Sequence, residues 1–269
     1  MKQDHIRICN FSNAKGGVGK TGIGILTARF LAAAGYSVLF IDSDLYNNSA
    51  TYHFASTPEE IQGRSLAEAL RSNDAVSNII HSSYTNVDYI AANMQLMKLR
   101  SINYPTFKKL LRVPGIEDTY DYVIIDSPPT FDNFVCAAVY ASDYIIIPFQ
   151  LSQSDIKASS FYFDLLDEEF DNILETHKFI LTINRVQYRS NETAEDSWNN
   201  QYRSLARDTF REEAFTYCKN FIEVPERSSF KAAIDIEGKL ISISEERLFS
   251  SFRSIAGLLG AVTDSVTQF

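Results

Sequence analysis

The chain has 269 residues, with 25 Lys and Arg against 34 Asp and Glu, a formal charge of −9, and 45% hydrophobic residues. That apolar fraction excludes a disordered chain, and the length suits one large α/β domain over residues 1–269. The acidic balance argues against a protein that coats nucleic acid by bulk charge.

Residues 1–17 are too polar for a signal peptide, and no stretch approaches the ~20 apolar residues of a membrane span, so the chain reads as cytoplasmic. Ile6–Phe11 is the first strand candidate, followed by a Gly-rich turn and a helix over Gly22–Ala34 that Gly35 closes. Further strands are expected at Ser37–Asp42, Val87–Ala91, Tyr122–Asp126, Tyr144–Pro148 and Phe179–Asn184, with helices at Leu66–Ser72 and from Ser154 to about Glu169. Several strands are nearly continuous in Ile, Val, Phe and Tyr, as strands buried on both faces of a parallel sheet should be. The alternation implies a doubly wound, mostly parallel sheet flanked by helices, with ligands at the carboxyl ends of its strands. Val186 to about Tyr202 reads as a surface loop or loose helix. Glu245–Phe269 reads as a final core-packing helix, with Leu248, Phe249, Phe252, Ile255, Leu258, Leu259 and Val262 at helical spacing. Cys9, Cys136 and Cys218 form no CxxC pair and read as reduced thiols; the four histidines show no ligand spacing.

The chemistry concentrates after the first strand, in Ala14-Lys15-Gly16-Gly17-Val18-Gly19-Lys20-Thr21. Strand, Gly-rich loop and helix in that order make a phosphate-binding P-loop. Glycines let backbone N–H groups converge on phosphate oxygens, and the helix adds its positive N-terminal dipole. Lys20 is placed to reach the β- and γ-phosphates, and the Thr21 hydroxyl to ligate Mg²⁺. Asp126 ends an apolar strand, where a carboxylate can hold Mg²⁺. Two features depart from the general pattern: Ala14 stands at the first Gly position, and Lys15 is an added cation.

With these departures the sequence resembles the deviant Walker A ATPases, the ParA-type partition and MinD-type division-site family. The resemblance extends over Leu39-Phe40-Ile41-Asp42-Ser43-Asp44, Tyr120–Pro129, Ala141–Pro148 and Ile183-Asn184-Arg185, and so from Ile6 to at least Lys239. It implies ATP/ADP and Mg²⁺ as cofactors, and slow, partner-stimulated ATP hydrolysis. It also implies a switch from monomer to ATP-sandwich homodimer, in which Lys15 reaches the partner's phosphates. By the same resemblance Asp44 orients the attacking water, Asp42 supports Mg²⁺ and the loop, and Asn184 and Arg185 contact adenine. Glu223-Val224-Pro225-Glu226-Arg227 loosely matches the adenine-side segment, which puts Pro225 at the base. Gly22 replaces a Thr whose hydroxyl bonds the α-phosphate, and Leu45-Tyr46-Asn47-Asn48 replaces the usual Pro-Gln.

ParA-type members bind non-specific DNA as ATP dimers and meet a centromere-binding or adaptor protein, which implies a nucleoid-associated cargo-positioning switch. From Asn184 to Phe269, however, 11 Lys and Arg face 13 Asp and Glu, which is no basic stripe. The candidate DNA contacts are Arg203, Arg207 and Arg211 at helical spacing, and Arg227, Lys231 and Lys239. The alternative within the family is an ATP-dependent scaffold or regulator that binds no DNA. A membrane-lying tail is disfavoured, because Arg247 and Arg253 are the tail's only cations. A shared iron–sulfur cluster is disfavoured too, since no cysteine partners Cys136.

Overall fold

The computed structural model describes residues 5–44, 49–55, 57–82, 85–99, 102–188, 198–236 and 239–269, with Ser49 and Trp198 described in backbone only. Leu45–Asn48 and the polar stretch 189–197 lie outside the described residues.

Eight strands form one sheet: β1 (Arg7–Phe11), β2 (Val38–Asp42), β3 (Ile80–His81), β4 (Asp88–Ile90), β5 (Tyr122–Asp126), β6 (Tyr144–Gln150), β7 (Lys178–Val186) and β8 (Ile222–Pro225). Their order is β3-β4-β2-β5-β1-β6-β7-β8. Every pairing is parallel except the antiparallel β3–β4 edge. The helices are α1 (Lys20–Ala33), α2 (Ser49–Phe54), α3 (Leu66–Ser72), α4 (Tyr104–Leu111), α5 (Pro114–Glu117), α6 (Asn133–Ala141), α7 (Gln153–Glu169), α8 (Ile173–Thr176), α9 (Trp198–Thr209), α10 (Ser228–Asp235) and α11 (Glu246–Leu258).

The strands form where the sequence offers uninterrupted apolar runs: β2 and β5 are buried at every position. Side chains that alternate along them feed separate cores on the two faces. On one face Phe11, Phe40, Tyr122 and Ile124 pack with α1 and α11. On the other, Ile8, Ile41, Val123 and Ile125 pack with α3, α4 and α6. Helix starts follow local chemistry. Asp132 accepts from the N–H groups of Phe134 and Val135 to start α6, and Ser152 accepts from Asp155 N–H to start α7.

All six expected strands are present. β6 runs two residues past Pro148, and β7 two past Asn184. The short edge strands β3 and β8 were not expected; two and four residues carry too little periodicity to be read. The tail is corrected as well. Helix α11 stops at Leu258 and Gly260 takes φ +80°, after which the chain returns as loop. There Val262 is exposed, while Phe269 packs on Phe30, Phe249 and Phe252. Among the described residues no helix is long and apolar enough to cross a membrane.

Candidate nucleotide site

Parallel register gathers the carboxylates. Asp126 at the end of β5 stands opposite Phe11 of β1 on one side and Asp42 of β2 on the other. The chain leaving β1 therefore enters its Gly-rich loop beside two buried acids. Gly17 and Gly19 take φ +76° and +104°, left-handed conformations that Cβ disfavours. Loop carbonyls are tied up by side chains. Lys20 Nζ donates to the Lys15 carbonyl at 3.1 Å, Gln150 Nε2 to that of Gly17 at 2.9 Å, and Asn184 Nδ2 to that of Val18 at 2.9 Å. Gln150 and Asn184 are themselves register partners at the ends of β6 and β7. Engaging carbonyls in this way favours an anion site, because phosphate oxygens accept from N–H groups and are repelled by C=O. Asn13, buried, shapes the loop's base by accepting from Lys15 N–H and donating to Pro148 O and Ser159.

Thr21 Oγ1 donates to Asp126 Oδ2 at 2.7 Å. The other carboxylate oxygen, Asp126 Oδ1, is buried without a hydrogen-bond partner among the described residues. Burial pushes the Asp126 carboxyl well above its ordinary range and the Asp42 charge adds to this, while the Thr21 hydrogen bond and Lys20 oppose it. Burial lifts Asp42 to about 6, against hydrogen bonds from the Thr51 hydroxyl, Thr51 N–H and Asp44 N–H. The Lys20 ammonium is drawn below its usual value by burial, with Asp126 and Asp44 pulling the other way. Three buried acids around one buried lysine form an anionic pocket that a divalent cation would neutralise. The orphan Asp126 oxygen, the Thr21 hydroxyl and the two left-handed glycines thus fit a Mg²⁺–nucleotide ligand.

Lys15 is set apart from this centre. Its ammonium lies 3.5 Å from Asp155 at the start of α7, and its side chain is 41% exposed. Gly19, Gly22, Asn184, Arg185 and Pro225, all expected at the nucleotide, line one side cavity of about 470 Å³, together with residues of α10. Asn184 ties the end of β7 to the loop. Its side-chain Oδ1 also accepts from Arg185 N–H, and Arg185 takes φ +56°.

The six DNA candidates differ in their surroundings. Arg203 is held by Glu223, with contacts of 2.5 and 2.8 Å. Arg207 donates to the Lys219 carbonyl and its guanidinium lies 3.9 Å from the centre of the Phe215 ring. Arg211 pairs with Asp167. Arg203 and Arg207 on α9, and Arg211 just beyond it, thus each make intramolecular contacts in this structure. Arg227 and Lys231 are exposed, on the rim of the side cavity.

Thr51, Asn13, Gln150 and Asp155 had not been singled out from sequence. Thr51 lies nine residues beyond Asp42, too far for a local signal. Gln150 was hidden behind Pro148, where the strand was expected to stop.

An AAA-domain family model (AAA_31) matches residues 6–175. The chain belongs to this family, in its ParA/MinD type. The sporulation initiation inhibitor protein Soj of Bacillus subtilis is 30% identical over 148 residues, covering 54% of this chain and 58% of Soj. Three of the curated relatives are matched over only 55–65% of their own length. The structure of Cyanothece McdA in complex with ATP superposes with a TM-score of 0.77 at 18% identity, over 97% of this chain and 98% of that one. A putative plasmid partition protein from Borrelia burgdorferi bound to AMPPNP gives 0.70 at 22% identity, over 94% and 98%. The ParA/MinD-type fold thus accounts for the sheet order and the position of the loop.

Proposed function

We propose that this ParA/MinD-type chain is a Mg²⁺-dependent ATPase that partitions or positions a cargo by switching between a monomer and an ATP-bound homodimer. The observation that carries this reading is the Thr21–Asp126 hydrogen bond beside the orphan Asp126 oxygen, directly behind the Gly-rich loop. Mg²⁺ would supply charge neutralisation at the phosphates, held by Thr21 and Asp126 with Asp42 in support. Lys20 would bind the β- and γ-phosphates. Asp44, 5% exposed beside the acids, would orient water. Lys15, exposed enough to leave Asp155, would complete a partner's site. Hydrolysis of this kind needs positioning and electrostatics rather than a covalent nucleophile. A γ-phosphate contact made only in the dimer would favour that state, and cleavage of the γ-phosphate would release it.

Non-specific DNA is the proposed track, reached through Arg227 and Lys231 and doubled by dimerisation. A centromere-binding or adaptor protein is the proposed stimulating partner, and the nucleoid the proposed location. The engagement of Arg203 and Arg207 with protein groups favours a second reading, the same switch used as a scaffold without DNA. Sedimentation with Mg-ADP, or with a non-hydrolysable ATP analogue, with and without random duplex DNA at two salt concentrations, separates the two. Dimers with the analogue that retain DNA in a salt-sensitive way support the track. Dimers that retain none support the scaffold, and monomers throughout overturn the switch.

A further inference from the structure

The position that departs most from the family pattern, Gly22, has a structural partner 208 residues away. A Cβ built on Gly22 would lie 3.1 and 3.2 Å from two carbons of the Phe230 ring. A side chain at residue 22 would thus need the Phe230 ring to shift by a few tenths of an ångström. Phe230 faces the cavity of about 470 Å³ that adjoins Gly19, Asn184, Arg185 and Pro225, and its other side stacks on Phe252 with centroids 6.3 Å apart and rings inclined by 28°. The helix that carries it is fastened. Buried Arg29 of α1 donates to the carbonyls of Ala233 and Lys239 at 2.6 Å each, and His53 of α2 meets the Ile234 carbonyl at 2.9 Å. A rigid aromatic ring, half-buried and aimed into a cavity next to a phosphate loop, suits a flat heteroaromatic group.

We propose that Phe230 is the platform on which the nucleobase of the bound nucleotide rests. On this view the chain exchanges a hydroxyl contact at residue 22 for an aromatic one. The inference rests on the phosphate-site reading and adds an aromatic contact to the base, which a bare triphosphate lacks. Because a ring face carries no hydrogen-bond pattern, Phe230 contributes affinity for the base and little choice among purines.

The test is calorimetric titration of the full chain with Mg-ATP, Mg-GTP and magnesium tripolyphosphate, for the natural protein, Phe230→Ala, Phe230→Leu and the double variant Gly22→Thr/Phe230→Ala. Phe230→Ala is expected to weaken ATP and GTP by roughly ten- to hundred-fold while moving tripolyphosphate less than about two-fold. Phe230→Leu keeps the apolar packing on Phe252 and is expected to lose most of the same advantage. In the double variant the space beside residue 22 is open, and the Thr hydroxyl is expected to regain part of the lost ATP affinity. Equal weakening of all three ligands, or no change in any, would overturn the platform and leave the phosphate site standing. Failure of the natural protein to bind either ATP or tripolyphosphate would overturn the phosphate site itself.

Discussion

Gly19 and Asn184 touch so closely that a Cβ on residue 19 would lie 2.0 Å from the Asn184 amide nitrogen, the same atom that donates to the Val18 carbonyl at 2.9 Å. The end of β7 is thereby wedged into the phosphate loop, and the loop's shape depends on a glycine in left-handed conformation.

The first prediction follows from that contact. Gly19→Ala has to hold φ +104° with a methyl group, at a cost of about 1–2 kcal/mol, and must also displace Asn184. Asn184→Ala leaves the Val18 carbonyl without its donor, at about 1–3 kcal/mol. Both variants should lose stability in urea and bind Mg-ATP at least ten-fold more weakly. Because both act through one contact, the double variant should fall short of the sum. Additive losses in the urea series would separate the two residues.

The two lysines of the loop should behave differently because their surroundings differ. Lys20 is buried, with its ammonium on the Lys15 carbonyl, so Lys20→Ala should abolish Mg-ATP binding. Lys15 is half in solvent and its ion pair with Asp155 is long, an arrangement worth about 0–1 kcal/mol. Lys15→Gln should therefore keep stability and ATP binding but lose dimerisation, and Asp44→Ala should bind ATP and turn it over poorly. Sedimentation, titration and phosphate release on the three variants check this. A Lys15→Gln protein that dimerises normally would remove the trans role.

Acid stability should carry two opposed slopes. Burial holds His53 down at about 4, from an ordinary 6.5. The unfolded chain therefore binds a proton that the folded chain refuses between those values, and stability is lost as pH falls through that window. Burial raises Asp42 to about 6 from 3.8, so folding is favoured below about 4 and that gain is lost as pH rises through 6. Each amounts to roughly 3 kcal/mol, with opposite sign, over nearly the same range. Asp126, raised as well, adds a slope of the same sign as Asp42, so each variant is read against the natural protein. On acidification from pH 6.5 to 4, Asp42→Asn should lose stability relative to the natural protein, and His53→Gln should gain it. Parallel urea midpoints for all three proteins would contradict the assignment.

What the sequence made legible was local. The phosphate loop, Lys20 and Thr21 sit within eight consecutive residues, and Asp42 and Asp126 each end a continuous apolar run, so strand, turn and helix periodicities located them. Contacts made by long-range topology were not legible. The Thr51 bonds to Asp42 and the Phe230 ring over Gly22 depend on which strands become neighbours. Gly22 was visible as an anomaly in the pattern, but its close neighbour, the Phe230 ring, lies on α10. The helical spacing of Arg203, Arg207 and Arg211 likewise says nothing of Glu223, Phe215 and Asp167, which they meet in the fold.

These contacts yield the last prediction, on nucleic acid. Arg203 and Glu223 make a two-contact ion pair with each side chain less than a third exposed, so Arg203→Ala should cost about 1 kcal/mol of stability, chiefly by removing the cation beside Glu223, which retains the Tyr188 hydroxyl. It should leave any ATP-dependent DNA retention unchanged. Arg227→Ala and Lys231→Ala remove exposed cations, so each should leave stability within about 0.5 kcal/mol. If these residues meet phosphates, each should weaken binding to all sequences alike and reduce the slope of log K against log salt by about 1 per contact. Salt titrations of DNA retention with the analogue-bound dimer measure that slope directly. A slope that drops for Arg203→Ala and stays for Arg227→Ala and Lys231→Ala would return the DNA face to α9 and show that Arg203 leaves Glu223 in the dimer.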